Sequence, residues 1–257
     1  MLCGVSIPYE RKIIMKSLSQ TSSNNLTRNN FDFWWHMNGT WVEQPNRRRG
    51  GESGVQRCHL ENVTYYVKKQ VGHICRSLRY PFGCPTIVRE AHRLAICQQL
   101  DVSTPEVVFC ESRKDQGTPK AILVTKDLEG YQSVEDWYAN TPENPRREQI
   151  LEVISRRLAE SLSKLHNQRW QHGCLYDKHI FFRIRAEDEN DVQIALIDLE
   201  KCRRRLTISR ASQRDVLQLR RHMPALKGRH WHTFVDAYTQ HLNLKSSREK
   251  KWLSLTH

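Results

Sequence analysis

His172-Gly173-Cys174-Leu175-Tyr176-Asp177-Lys178-His179-Ile180-Phe181-Phe182 decides the reading of this chain, together with Ile194-Ala195-Leu196-Ile197-Asp198-Leu199-Glu200 downstream. A His-initiated polar loop enters an apolar strand, and a second apolar strand ends on an acid. This order suits phosphoryl transfer, where a catalytic loop positions the acceptor and an Asp after the next strand holds a metal ion. One position departs from that layout. Two residues after the His, where such loops carry the catalytic Asp, stands Cys174. A thiol is a poor Mg²⁺ ligand and, with a reference pKa of about 8.5, is mostly protonated at neutral pH. Asp177, three residues further on, is the alternative acid.

Upstream, Arg49-Gly50-Gly51-Glu52-Ser53-Gly54-Val55 can bring backbone N–H groups close to phosphates, although the same run reads equally as a hairpin. Val63-Thr64-Tyr65-Tyr66-Val67-Lys68 reads as a strand, so Lys68 and Lys69 point to opposite faces. One can reach a phosphate, or both can decorate an edge strand. Glu90 is placed in the first turn of the following helix, where it can pair with Lys68, and an acid there is favourable by itself. Asp198 ends an apolar run and needs a partner, either Mg²⁺ or a salt bridge to Lys201 or Arg203. His172, Cys174 and His179 also raise zinc, with Cys202 as a fourth ligand, but their spacing matches no common structural site.

The 257 residues suffice for two lobes with ample core, and 38% are hydrophobic with no transmembrane-length run. No secretory signal precedes Met15, an alternative start, and the eight cysteines form no CxxC pair, which indicates a reducing cytoplasm. Net charge is +13, with clusters at Arg47-Arg48-Arg49, Arg203-Arg204-Arg205 and Arg220-Arg221. An anionic partner (phosphorylated sugar, acidic membrane or nucleic acid) and a merely solvated surface are both compatible with them.

Residues 1–30 read as a mobile leader and 31–41 as an aromatic segment packed on the domain. Strands are expected at 54–60, 63–68, 106–110 and 121–125, with turns at 81–85 and 111–120. Thr86 is expected to cap a helix from Ile87 whose apolar face is Ile87, Ala91, Leu94 and Ala95. Asn144-Pro145 starts a second helix, with Ile150, Ile154, Leu158, Leu162 and Leu165 on one face. From Ser212 onward the pattern is helical.

Taken in order, Gly50 to Val55, Lys68, Glu90, His172 to Phe182 and Asp198 resemble the lipopolysaccharide kinase family of Gram-negative bacteria, which contains Kdo kinases, heptose kinases and InaA-type proteins. The runs from His172 to Phe181 and from Leu196 to Lys201 are most similar to the InaA-type branch, and the resemblance spans residues 40–240. It implies an α+β, two-lobed protein-kinase-like fold: a β-rich N-lobe with one helix over 31–124, a hinge over 125–130, and a mostly helical C-lobe over 131–257. ATP would lie between the lobes, cradled by Gly50, Gly51, Gly54 and Val55, with Lys68 on its phosphates, Glu90 anchoring Lys68, and Thr125 and Asp127 at the hinge. Asp198 and His179 would hold Mg²⁺, His172, Cys174 and Asp177 would belong to the catalytic loop, and Asp215 resembles the helix Asp that braces it.

The implied function is ATP-dependent phosphorylation of a sugar of lipopolysaccharide or a related anionic envelope glycolipid. It implies a cytoplasmic protein in peripheral contact with the inner face of the inner membrane, which the positive charge suits. The alternative is a pseudokinase or nucleotide-binding scaffold in an envelope or acid stress response, because Cys174 replaces the Asp. A nucleic-acid partner is not expected, since Trp34, Trp35, Trp231 and Trp252 read as core rather than as stacking platforms.

Overall fold

The structure, a computed structural model, describes residues 30–48, 50–77, 80–185 and 188–243. Nearly all of the expected leader, and Trp252, lie outside these residues. Helix α1 (Phe31–His36) belongs to an N-terminal unit, separate from the body that begins at Asn38. Asn30 caps it by accepting the Asp32 N–H at 2.8 Å, and Phe31 stacks on Trp35. The aromatic stretch 31–41 thus divides between α1 and the first strand of the body.

The body opens with an antiparallel sheet in the order β1-β2-β3-β7-β6, formed by β1 (Thr40–Arg48), β2 (Gly51–Leu60), β3 (Val63–Val71), β6 (Val107–Asp115) and β7 (Thr118–Lys126). β1 is an edge strand that the sequence reading missed. It is polar, carries Pro45 and shifts register twice against β2, all tolerated at an edge. Two-residue turns join β2 to β3 at Glu61–Asn62 and β6 to β7 at Gln116–Gly117, all with positive φ. The polar turn expected at 111–120 therefore shrinks to two residues. Its charged residues are strand positions, because one face of the ribbon meets solvent. The turn expected at 81–85 is instead β5 (Tyr80–Pro85), paired with β4 (Ile74–Ser77) in an isolated ribbon with room for prolines.

Helix α2 (Thr86–Gln99) buries Ile87, Glu90, Ala91, Leu94 and Cys97. Thr86 is its first residue, not its cap. The N-cap is Pro85, which makes no side-chain cap bond. The cap comes from the neighbouring strand: Oε1 of buried Gln70 on β3 accepts the Ile87 N–H at 3.1 Å and the Thr86 hydroxyl at 3.2 Å. Gln70 Nε2 donates to the Gly72 and His73 carbonyls at 3.1 and 2.8 Å, so one side chain fixes the start of α2 to the sheet. Because the helix starts at Thr86, Glu90 stands in its second turn rather than its first.

Beyond β7 come β8 (Gln132–Ser133), α3 (Val134–Asn140), α4 (Pro145–Asn167), β9 (Trp170–Gln171), β10 (Ile180–Arg185), β11 (Asp188–Leu196), β12 (Arg203–Arg204), α5 (Ile208–His222) and α6 (Arg229–His241). Asn144 caps α4 at 2.9 Å from the Arg147 N–H, with Pro145 opening the helix. Its expected stripe, Ile150, Ile154, Leu158, Leu162 and Leu165, is buried. α5 starts at Ile208, ahead of the expected Ser212, because Thr207 caps it through the Arg210 N–H at 3.1 Å. One apolar core runs from Ile87 and Leu94 of α2 through α4 to Val216, Leu219 and Phe234 of α5 and α6. The β-rich part is thereby continuous in packing with the helical part.

Candidate active site

Lys68 lies on β3, opposite Val55 of β2 and Leu123 of β7. Its Nζ donates to Glu90 Oε2 at 2.7 Å and to Glu200 Oε2 at 3.1 Å. Burial opposes the charge, but the Glu90 and Glu200 carboxylates outweigh it and hold the Lys68 pKa above the usual lysine range. Lys68 is therefore a fixed cation. Lys69, on the opposite face, donates to Gln56 Oε1 at 2.8 Å. From the same helix as Glu90, Arg89 Nη2 and Arg93 Nε of α2 donate to the Glu200 and Cys202 carbonyls at 3.1 and 3.2 Å.

The loop after β9 is held from α5. The buried Asp215 carboxylate accepts the His172 N–H at 2.6 Å, the Gly173 N–H at 2.9 Å and His166 Nε2 at 3.0 Å. His166 Nδ1 in turn meets the Tyr238 hydroxyl at 2.6 Å. One turn along α5, Gln218 Oε1 accepts the Leu175 N–H at 3.2 Å. Burial works against the Asp215 charge, but His166, His172 and the Gly173 N–H prevail and lower its pKa. At Gly173, φ is +82° and an added Cβ would meet the Lys201 carbonyl at 2.9 Å, so only glycine fits without a shift. His172 is fully buried, its Nδ1 accepts the Cys174 N–H at 3.3 Å, and burial pushes its pKa down. It positions the loop.

Asp198 follows β11 in the left-handed conformation, φ 58° and ψ 61°. It faces His179, whose Nδ1 lies 3.6 Å from Asp198 Oδ2 and 2.7 Å from the Cys174 carbonyl. One donor atom each from Cys174, His179 and Asp198 lie within 4.8 Å of one another. The Cys174 thiol is pushed up to about 12, by burial first and then by its hydrogen bond to Asp198. Burial alone would raise Asp198, but the Cys174 hydrogen bond and the charges of His179 and Lys68 lower it. Lys201 Nζ approaches Cys174 Sγ at 3.9 Å.

The donor chemistry decides what a metal would find here. The Asp198 carboxylate, held ionised, fits Mg²⁺, which commonly takes one or two carboxylates and completes its shell with phosphates and water. The protonated Cys174 thiol adds nothing to such a site. The alternative zinc set of His172, Cys174, His179 and Cys202 does not come together among the described residues. Among the described residues the metal-competent group is Cys174, His179 and Asp198, without His172 or Cys202. Asp198 makes its close ion-pair approach to His179, and not to Lys201 or Arg203, among the described residues.

The other expected site residues fall as follows. Gly50 is at the tip of the β1–β2 hairpin with φ +74°, while Gly51, Gly54 and Val55 lie within β2. At Gly54 a Cβ would meet the Trp41 ring at 2.7 Å and Pro45 at 3.1 Å, so the crossing of β1 itself requires that glycine. Thr125 sits inside β7 between Tyr66 of β3 and Val107 of β6, and the chain leaves the sheet only at Asp127, whose N–H donates to the Thr64 carbonyl at 2.9 Å. Asp177 opens a short 3₁₀ turn (Asp177–His179), where its carboxylate accepts the Lys178 N–H, and it is not part of the Cys174 group. Sequence reasoning gave no role to Glu200, Gln70, Gln218, Arg89 or Arg93. Only Glu200 left a signal, as an acid two residues past Asp198.

Residues 32–238 match the profile of the lipopolysaccharide kinase (Kdo/WaaP) family. The chain belongs to that family. Protein InaA of Escherichia coli (strain K12) is 38% identical over 208 residues, which cover 81% of this chain and 94% of that relative. A more distant similarity, 25% over 141 residues, joins 53% of the chain to 54% of the EKC/KEOPS complex subunit Tp53rkb of Mus musculus. Among solved structures, WaaP in complex with acyl carrier protein superposes with a TM-score of 0.59 at 18% identity, over 88% of this chain and 89% of that one. The Kdo/WaaP family member described here thus has the α+β, two-lobed protein-kinase-like fold.

Proposed function

We propose that this chain is an ATP-dependent phosphotransferase acting on a sugar hydroxyl of lipopolysaccharide or a related anionic envelope glycolipid. The observation that carries the reading is the Lys68–Glu90 ion pair at 2.7 Å, on a chain of this family. Lys68 binds the α- and β-phosphates and Glu90 keeps it aimed at them. The β1–β2 tip at Gly50 and the β2 residues Gly51, Gly54 and Val55 cover the phosphates, and the segment at Thr125 and Asp127 borders the base. Asp198, with His179 beside it, holds Mg²⁺. ATP·Mg²⁺, when bound, supplies the phosphoryl group and neutralises the charge of its transfer. The Asp215-braced loop positions the acceptor hydroxyl. Cys174, protonated, takes no proton from it. A general base is worth typically ~10²–10⁴-fold, and positioning carries most of such a reaction, so turnover is slow rather than absent.

Among the described residues no helix is long and apolar enough to cross a membrane. We place the protein in the cytoplasm, in peripheral contact with the inner face of the inner membrane through its positive charge.

A second reading, a pseudokinase or nucleotide-binding scaffold, is favoured by Cys174 and by the Glu200 carboxylate on Lys68. Transfer from γ-labelled ATP to purified lipopolysaccharide and Kdo–lipid acceptors separates the two. Asp198→Asn is the control, because Asn also adopts the left-handed backbone. Labelled glycolipid that disappears with Asp198→Asn establishes the kinase. Thermal stabilisation by ATP·Mg²⁺ with no labelled acceptor establishes the scaffold. No stabilisation at millimolar ATP·Mg²⁺ sinks both.

A further inference from the structure

We propose that a pocket lined by Arg169, Arg204, Arg205 and Arg210 binds a phosphate monoester, the group that a phosphorylated sugar presents. The site goes beyond the nucleotide site, since it shares no residue with the Lys68, Glu90 and Asp198 set. The cavity measures about 420 Å³ and is completed by Leu206. That volume lies within the range of about 300–1,000 Å³ usual for small-molecule sites, and suits a phosphosugar.

Charge is the first argument. Residues 201–214 carry six Lys and Arg and no Asp or Glu. Among the described residues, none of the four pocket guanidinium groups has a carboxylate within ion-pair distance. Arg205 Nε instead donates to a neutral group, Gln171 Oε1, at 2.6 Å. The first turn of α5, which starts between the lining residues Leu206 and Arg210, holds no acid either. Arg203, outside the pocket lining, is pushed down by its burial and by the cations of Arg205, Arg214 and Arg89, against the opposing pull of the Asp215 carboxylate. Clustered like charges without a counter-anion are unfavourable, and a bound dianion removes that repulsion.

Geometry is the second argument. Guanidinium forks match phosphate oxygens two at a time. The backbone that carries them is fixed: β12 pairs with β9 at Arg203↔Gln171 and Arg204↔Trp170, and the Arg205 N–H donates to the Arg169 carbonyl at 2.7 Å. Gln171 is fully buried, and its Nε2 lacks a hydrogen-bond partner. Leu206, 75% exposed, offers an apolar wall to the face of a sugar. The pocket also adjoins the reaction centre along the chain. β9 runs straight into His172, and β12 follows the turn after Asp198. An anion seated there ties together the two segments that carry the loop and the metal-holding acid.

Calorimetric titration of the full chain tests this with inorganic phosphate, a hexose 6-phosphate, the unphosphorylated hexose, and a single-stranded oligonucleotide lacking terminal phosphates. A further arm uses phosphatidylcholine vesicles with a phosphorylated glycolipid or its dephosphorylated form. Inorganic phosphate and the hexose phosphate bind, and the plain hexose does not. Arg204→Gln with Arg210→Gln weakens binding about tenfold or more, in keeping with the loss of two charge-assisted contacts. The same double variant without ligand melts no lower than wild type, because repulsion has been relieved, and Arg221→Gln changes nothing. Tighter binding to phosphorylated vesicles than to inorganic phosphate assigns a glycolipid as the source, and equal binding assigns free phosphate. Lys68→Met leaves phosphate binding intact, so failure at the nucleotide site does not touch this site. Phosphate binding unaffected by the double variant, or an oligonucleotide that outcompetes the hexose phosphate, overturns the proposal.

Discussion

Gln70→Met tests whether a strand residue, and not the helix's own Thr86, starts α2. Methionine keeps the length and volume of the side chain and removes its four hydrogen bonds. Loss of a helix cap costs typically about 1 kcal/mol. The Ile87 N–H, on a residue with no exposed surface, is left without its acceptor, at about 1–3 kcal/mol more. The expected loss is therefore about 2–4 kcal/mol. Thr86→Val removes a single bond from a half-buried hydroxyl, and should cost about 0.5–1 kcal/mol. Urea denaturation of the two variants beside wild type gives both numbers. The reasoning is refuted if Thr86→Val costs as much as Gln70→Met, or if Gln70→Met stays within about 1 kcal/mol of wild type.

Four further outcomes are expected. Glu200→Gln frees Lys68 from a half-exposed carboxylate whose pairing is worth up to about 1 kcal/mol, so ATP·Mg²⁺ should bind about two- to fivefold tighter by calorimetry. Weaker binding would show that Glu200 helps to recruit the nucleotide. Lys68→Met should abolish the ATP-dependent rise in melting temperature while Lys69→Met keeps most of it, and the reverse result would contradict the assigned roles. Cys174→Asp should raise turnover, by at most the ~10²–10⁴-fold of a general base, in the labelled-ATP assay. Wild-type turnover at ordinary kinase rates, unmoved by this change, would mean the loop is wrongly assigned. Asp215 has a depressed pKa in the fold, so its ionised form contributes stability that is complete above the unfolded carboxylate value of about 3.9 and is lost as pH falls through the folded value. Asp215→Asn should lower stability at neutral pH and flatten the acid limb of a stability-versus-pH curve, and an unchanged acid limb would remove Asp215 from the account.

The start and buried stripe of α4, and the two faces of β3 that separate Lys68 from Lys69, were legible in the sequence because they rest on local rules. Asn144-Pro145 starts α4 by its own cap, the Ile150 to Leu165 stripe repeats at helical spacing, and alternation along β3 separates Lys68 from Lys69. What escaped depends on residues distant in sequence. The cap of α2 comes from Gln70, and propensity placed it at Thr86. Glu200 meets Lys68 across 132 positions, and nothing around Glu200 announces that contact. β1 and β5 were hidden by prolines and polar residues, which edge strands and isolated ribbons accept and central strands refuse. Asp177 looked a plausible substitute for the missing acid by spacing alone. The 3₁₀ turn it opens binds its carboxylate back to its own backbone.

The attachments of α2 bear on how this protein can be controlled. Gln70 fastens the helix at its start, Glu90 fastens it to Lys68, and Arg89 and Arg93 fasten it to the segment after Asp198. A switch that swung the helix outward would have to release all of these together, and would strand a buried carboxylate while doing so. An inactive state reached by that route is too costly for a modest signal to populate. Regulation would then fall on supply: on how much protein is made, and on when its acceptor comes within reach.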